Sequence, residues 1–292
     1  MSSTATIPIT GFVTVSNGIK VFYREAGSKT NPTFLLLHGF PSSSNQYRHL
    51  ITLLAPRYHV VAPDLPGFGF TETPSDYVHN FAHMAETIGL FLDTLKIKKF
   101  IVYIFDYGAP TALRLALKRP NDIVAIISQN GNAYEDGLGD FWGVVRPLWG
   151  DPPSELERET AAANLLTYAV TKFQYETGTK NVDALDPATW SLDAALLERP
   201  GQKDIQLALF IDYQNNVAAY PEFQKWFRES NVPILAIWGK NDPIFIPPGA
   251  EAFKRDSKNV VVKLVDAGHF ALESNLEEIA GEILDFLSTY KL

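Results

Sequence analysis

The chain has 292 residues, enough for one large α/β domain or a domain carrying a substantial insertion. Its 46% apolar and 20% charged residues exclude a disordered chain, and a net charge of −8 with no basic block excludes a nucleic-acid-binding face. The absence of cysteine excludes disulfides, thiolate metal sites and a cysteine nucleophile.

The first twelve residues lack the basic and apolar regions of a signal peptide. No apolar run approaches the roughly 18 residues needed to span a bilayer. The expectation is therefore a cytoplasmic protein with no membrane partner. Two β-rich runs, residues 11–15 and 19–26, are separated by the turn dipeptide Asn17-Gly18 and predict an opening hairpin. Continuous apolar runs follow at 34–37, 58–62 and 100–105. They end in His38-Gly39-Phe40-Pro41, Pro63-Asp64-Leu65-Pro66-Gly67 and Asp106-Tyr107-Gly108. Runs apolar on both faces predict strands of a parallel sheet covered by helices. The stretches 81–95 and 109–118 carry apolar residues at helical spacing.

After a further strand at 123–128 the rhythm changes, and from about 133 to 230 the chain reads as helical and rich in aromatics. Ser154 with Glu157 fits a capping box and predicts a long helix running to about Tyr175. Strands at 232–238 and 260–265 and an amphipathic helix at 276–290 restore the alternation. The organisation expected is a core of residues 1–133 and 231–292, interrupted by a helical cap at 134–230.

In open parallel sheets the ligand sits at the carboxyl ends of the strands. Those ends here carry His38, Asp106, Asp242 and His269. Asp106, in Ile104-Phe105-Asp106-Tyr107-Gly108, has the strand–turn–helix setting that presents a nucleophile on a sharp turn. Gly108 is the small residue after it, whereas Ile104 departs from the small residue usual before it. Taken alone, Asp106 reads equally well as a cap of the following helix. No Gly-x-Ser-x-Gly occurs, which removes the ordinary serine esterase reading. His269, in Asp266-Ala267-Gly268-His269-Phe270, stands where the order nucleophile–acid–histidine puts the base. Asp242, after Ile237-Trp238-Gly239, stands where the acid that orients the imidazole belongs. Their plain readings are a hydrogen-bonded loop histidine and a turn aspartate.

With Asp64-Leu65-Pro66-Gly67-Phe68-Gly69 and Asp106-Tyr107-Gly108-Ala109-Pro110 added, the chain resembles the α/β-hydrolase superfamily. Within it the likeness is to the epoxide hydrolase and haloalkane dehalogenase branch, and it spans almost the whole chain. The resemblance implies an α/β fold with a mostly parallel eight-stranded sheet, flanking helices and an inserted helical cap. It also implies a mechanism: Asp106 attacks a saturated carbon and forms an ester, and His269, oriented by Asp242, activates water to hydrolyse it. The backbone N–H groups of Phe40 and Tyr107 would form the oxyanion hole. No metal or organic cofactor is implied. The implied partner is a small apolar organic substrate; oligomeric state stays open, a homodimer included.

What separates the two reactions is the leaving atom. An epoxide oxygen needs an acidic hydroxyl, and related epoxide hydrolases use two cap tyrosines. Tyr213 lies where one is expected, and Tyr168 or Tyr175, seven residues apart, are candidates for the other, with Tyr134 behind them. A halide needs N–H donors, for which Trp142 and Trp149 are available. Packing is the plain role of all six. The His-Gly-Phe-Pro form of the first loop looks more like epoxide hydrolases, because dehalogenases with an asparagine donor carry it where Phe40 stands. Most dehalogenases also have Trp in place of Tyr107. Fluoroacetate dehalogenases fit poorly, since their carboxylate-binding arginines map onto Tyr107 and Pro110. The expectation is epoxide hydrolysis to a diol. The alternatives are a haloalkane dehalogenase, an esterase or lactonase with Asp106 as general base, and a binding module that has lost catalysis.

Overall fold

Residues 7–150 and 152–292 are described by the computed structural model; residues 1–6, part of the amino-terminal stretch read above for a leader, and Asp151 lie outside the described residues. The opening hairpin forms as expected. Strands β1 (Ile9–Thr14) and β2 (Lys20–Ala26) pair antiparallel, with Gly18 at φ +83° in the turn between them. Then come β3 (Thr33–Leu37), helix α1 (Leu50–Leu54), β4 (His59–Pro63), α2 (Phe81–Thr94), β5 (Phe100–Phe105), α3 (Gly108–Lys118) and β6 (Ile123–Gln129). These join a single eight-stranded sheet in the order β1-β2-β4-β3-β5-β6-β7-β8, where β7 is Ile234–Gly239 and β8 is Val260–Val265. From β4 to β8 all neighbours run parallel, and the antiparallel pairings are those of β2 with β1 and with β4. The chain therefore has the α/β-hydrolase architecture.

The central strands β4, β5 and β7 are buried along their whole length, which is why they read as unbroken apolar runs. Alternate residues feed two cores. Leu35, Leu37, Val102 and Ile104 join one with α2, α3 and much of the cap, while Phe34, Leu36, Ile101 and Tyr103 join the other with α1 and the closing helix.

Between β6 and β7 the described chain is helical. After three short 3-10 turns come α4 (Glu155–Leu165), α5 (Tyr168–Glu176), α6 (Ala188–Leu197), α7 (Gln202–Asp212) and α8 (Gln214–Ser230). The capping box at Ser154 and Glu157 is present, but the long helix predicted from it is two. Leu166 leaves helical geometry, and the Thr167 side chain accepts from the Val170 N–H to start α5 afresh. A threonine at a helix start supplies an acceptor for an otherwise unpaired N–H, and helical periodicity alone does not reveal such a restart. After β7 come α9 (Pro248–Ala252), and after β8 come α10 (Ala271–Ser274) and α11 (Leu276–Thr289). No described helix is long and apolar enough to cross a membrane.

Candidate active site

Asp106 occupies the turn from β5 into α3 with φ +46°, a left-handed conformation unusual for a residue with a side chain. Gly108 permits the turn: a Cβ there would lie 2.1 Å from the Leu37 carbonyl oxygen. The turn forms although Ile104, not a small residue, precedes it. The Phe40 N–H donates to Asp106 Oδ1 at 2.6 Å, crossing from the loop after β3. Burial pushes the Asp106 pKa up to about 6, against the pull of the His269 charge and of the Phe40 and Tyr107 N–H groups.

His269 Nδ1–H donates to Asp242 Oδ2 at 2.7 Å, and both side chains are fully buried. Burial disfavours a charge on His269. Asp242, through its charge and hydrogen bond, together with Asp106, outweighs burial and leaves the pKa above the ordinary value. His269 Nε2 makes no hydrogen bond within the protein. Asp242 is fixed in turn: Oδ1 accepts the Ile244 N–H at 2.7 Å, and Oδ2 also accepts from Asn130 Nδ2 at 2.7 Å. Asn130, at φ +47° just past β6, uses its Oδ1 to accept the Gly239 N–H at 2.9 Å. The sequence reading missed Asn130. Its signal was the one used for the others, a polar residue at the carboxyl end of an apolar strand.

Aromatic rings enclose the carboxylate. His269 faces Phe105 at 4.6 Å and Phe245 at 6.0 Å; Phe245 meets Trp142 at 5.4 Å, and Trp142 meets Tyr213 at 4.3 Å. Tyr213 lies 5.8 Å from Tyr107, which lies 6.1 Å from Phe40. Of the cap candidates, Tyr213, Trp142 and, at 6.3 Å from Tyr213, Trp149 belong to this enclosure. The two indole N–H groups are already used, Trp142 on the Ile244 carbonyl and Trp149 on the Phe210 carbonyl, both at 3.0 Å. Trp190, Trp226 and Trp238 likewise donate to protein oxygens, so every indole in the chain is occupied.

The Tyr213 hydroxyl lies 3.2 Å from that of Tyr220, which accepts from Asn132 Nδ2 at 3.2 Å. Tyr220 is a second residue the sequence reading missed; it stands seven residues beyond Tyr213 on the next helix.

The other candidates lie apart. Tyr168 is 53% exposed, and its hydroxyl accepts from Trp190 at the cap surface. Tyr175 stacks on Phe270 at 3.8 Å and spends its hydroxyl on Asp193 at 2.5 Å. Tyr168 and Tyr175 thus differ in environment, one wet and one buried. Tyr134 packs on Phe253 at 5.2 Å. His38 is a loop brace, not a substrate contact. Its Nε2 accepts the Leu65 N–H at 2.9 Å and its Nδ1 faces the Gly39 carbonyl at 3.1 Å, so both nitrogens are taken.

A cap over the carboxyl ends of a mostly parallel sheet, with a carboxylate on a strained turn beside a His–Asp pair, defines a hydrolase of the α/β fold. The family model described as "alpha/beta hydrolase fold" matches residues 32–276, and the chain belongs to that family. It is 51% identical over 281 residues to an uncharacterized hydrolase of Saccharomyces cerevisiae, covering 94% of this chain and 96% of that one. It is 27% identical over 285 residues to haloalkane dehalogenase 2 of Mycobacterium tuberculosis, covering 91% of each. Among solved structures, the epoxide hydrolase CorEH superposes with a TM-score of 0.76 at 19% identity, over 97% of this chain and 99% of that one, a likeness of fold.

Proposed function

We propose that the protein hydrolyses epoxides to diols through an ester on Asp106. The carboxylate attacks one ring carbon, the C–O bond breaks, and the freed oxygen takes a proton from Tyr213. His269 then draws a proton from water, which adds to the ester carbonyl, with the Phe40 and Tyr107 N–H groups holding the developing oxyanion. The intermediate collapses by breaking the ester C–O bond, the imidazolium protonates the departing alkoxide to give the diol, and the Asp106 carboxyl proton returns to the Tyr213 oxygen. Asp242 keeps the imidazole oriented and balances its charge.

The observation that carries this reading is the buried hydroxyl pair Tyr213 and Tyr220, 3.2 Å apart, with Tyr220 also accepting from Asn132 Nδ2. When a substrate oxygen reaches Tyr213, the Tyr213 proton turns to it and the Tyr220 hydroxyl donates to Tyr213 in its place. Burial first, then Tyr220 and the Asp106 charge, hold Tyr213 protonated well above neutral pH, so the donor is always loaded. The Asp106–His269 coupling supports the second step. Ester formation removes the Asp106 charge, one of the forces raising the His269 pKa, just when a base is required.

Halide displacement by the same carboxylate is the second reading, favoured by the name of the mycobacterial relative. It lacks free indole N–H donors for the leaving ion, since each indole is spent on a protein oxygen, and the Phe40 side chain offers only apolar atoms.

Intact mass of the His269→Gln variant, incubated with epoxides and haloalkanes that the wild type consumes, tests the proposal. Without the base the ester should persist, and an adduct of the whole epoxide mass is expected. An adduct of the haloalkane less hydrogen halide would move the assignment to dehalogenation. No adduct on any consumed substrate would refute covalent attack by Asp106.

A further inference from the structure

Tyr213 stands at the corner between α7 and α8, in the cap, whereas Asp106 lies at the end of a sheet strand. Their spacing therefore depends on contacts between cap and core. One such contact starts from the residue beside Tyr213. The Asp212 carboxylate accepts the N–H of Phe81, the first residue of α2, on Oδ2 at 2.8 Å, and the Asn215 amide on Oδ1 at 2.7 Å. A carboxylate that accepts an N–H at a helix start makes a charge-assisted bond, about twice as strong as a neutral one. The Phe81 ring then packs edge-on against both Tyr213, at 5.6 Å, and Tyr107, at 4.9 Å. Asp212 and Tyr213 thus hold the same core residue, one by its backbone and the other by its ring.

Arg114 makes the second contact. It lies on α3, the helix that begins at the Asp106 turn, and reaches the first turn of α8. Its guanidinium donates to the Asn215 carbonyl at 2.8 Å and to Asn216 Oδ1 at 3.0 Å. Asn216 is fully buried, and its own N–H donates to the Tyr213 carbonyl at 2.9 Å. The helix that follows the nucleophile and the corner that carries the acid are therefore joined through one side chain.

We propose that Asp212 and Arg114 are positioning residues, a clamp that holds Tyr213 in place to protonate the opening ring. The inference rests on the epoxide reading above and concerns its first step alone. Tyr213 acts when the ring opens, whereas hydrolysis of the ester needs His269.

The test separates the two steps. In a His269→Gln background, growth of the epoxide adduct by intact mass gives the rate of ester formation. Asp212→Ala should slow it by about tenfold or more, within the roughly hundredfold that a misplacement near 1 Å costs. Arg114→Met, which keeps much of the stem and loses the donors, carries the same expectation. Asp212→Asn, which keeps an oxygen for the Phe81 N–H, should retain most of the rate. With His269 present, decay of the ester in single turnovers should match the wild type in all three. Unchanged ester formation in Asp212→Ala and Arg114→Met overturns the proposal, as does an equal slowing of both steps, the mark of a merely structural role. 3-Fluorotyrosine in place of Tyr213 reads the clamp without turnover. Its fluorine resonance should shift in Asp212→Ala and return in Asp212→Asn. If that pattern holds while the His269→Gln variant forms no ester with any epoxide, the clamp on Tyr213 stands and the epoxide reading falls. A resonance unmoved by Asp212→Ala discards the clamp.

Discussion

At the scale of single residues, Asp106 combines two unfavourable features: a left-handed backbone and a carboxylate enclosed by rings. Its pKa is raised from 3.8 to about 6, so between those values the folded chain holds a proton that the unfolded chain has lost. Stability therefore falls as pH rises through that window, and the full cost, roughly 2–3 kcal/mol, is present above pH 6. Asp106→Asn should abolish activity yet raise the thermal midpoint at pH 7.5, with the gain vanishing near pH 4. Calorimetry at the two pH values checks this, and a destabilised variant at pH 7.5 would contradict it. Tyr213 belongs to the same scale. Tyr213→Phe should lower kcat/KM on epoxides by about a hundredfold, the usual contribution of a positioned acid. Tyr220→Phe, one bond further back, should cost less, and steady-state kinetics of the pair would reveal an inverted order.

At the scale of elements, the cap touches the candidate site through its backbone as well as its side chains. Where α5 ends, Thr177 and Gly178 pass directly over the loop that carries His269. A Cβ on Gly268 would lie 1.9 Å from the Thr177 carbonyl oxygen, and Asn241 Nδ2, beside Asp242, donates to the Gly178 carbonyl at 2.9 Å. Gly268→Ala must displace either α5 or the His269 loop. With misplacements near 1 Å costing about a hundredfold in rate, the variant should retain its circular dichroism spectrum and lose about two orders of magnitude in kcat. Wild-type kcat in a folded Gly268→Ala protein would mean the crossing does not position His269. Thr167, which divides the expected long helix in two, turns the start of α5 and so sets where this crossing falls.

At the scale of the whole molecule, Asp193 and the His269 site bury titratable groups between cap and sheet, and this shapes the response to pH. The folded-state pKa of Asp193 lies at about 8, and that of His269 lies above its ordinary value. Both bind protons more tightly folded than unfolded, so stability declines as pH rises, between 3.8 and about 8 for Asp193 and from 6.5 upward for His269. The thermal midpoint should be lower at pH 9 than at pH 6.5. Asp193→Asn, which cannot ionise, should flatten that slope, and a slope unchanged by the substitution would assign the effect to other groups. Exposed ion pairs such as Arg255 with Asp136 stay charged throughout this range and leave the slope unchanged.

Much of the architecture was legible in the chain itself. Parallel strands buried on both faces leave unbroken apolar runs, and polar residues at their ends mark the candidate site, so Asp106, Asp242 and His269 stood out before any contact was known. The hairpin at Asn17-Gly18 and the helical stretch between β6 and β7 are local signals of the same kind. The pairing of side chains from distant segments was not legible. Whether Tyr213 meets Tyr168, Tyr175 or Tyr220 depends on how five cap helices pack, and Thr167 alters that packing through a single hydrogen bond. The same holds for the occupied indoles, for Asn130 behind Asp242 and for Asp212 and Arg114 around Tyr213. Residue type and spacing specify which groups exist and which element carries them. Only the folded cap decides which donors are spent on the protein and which are left for a ligand, because a hydrogen bond is satisfied by a neighbour in space.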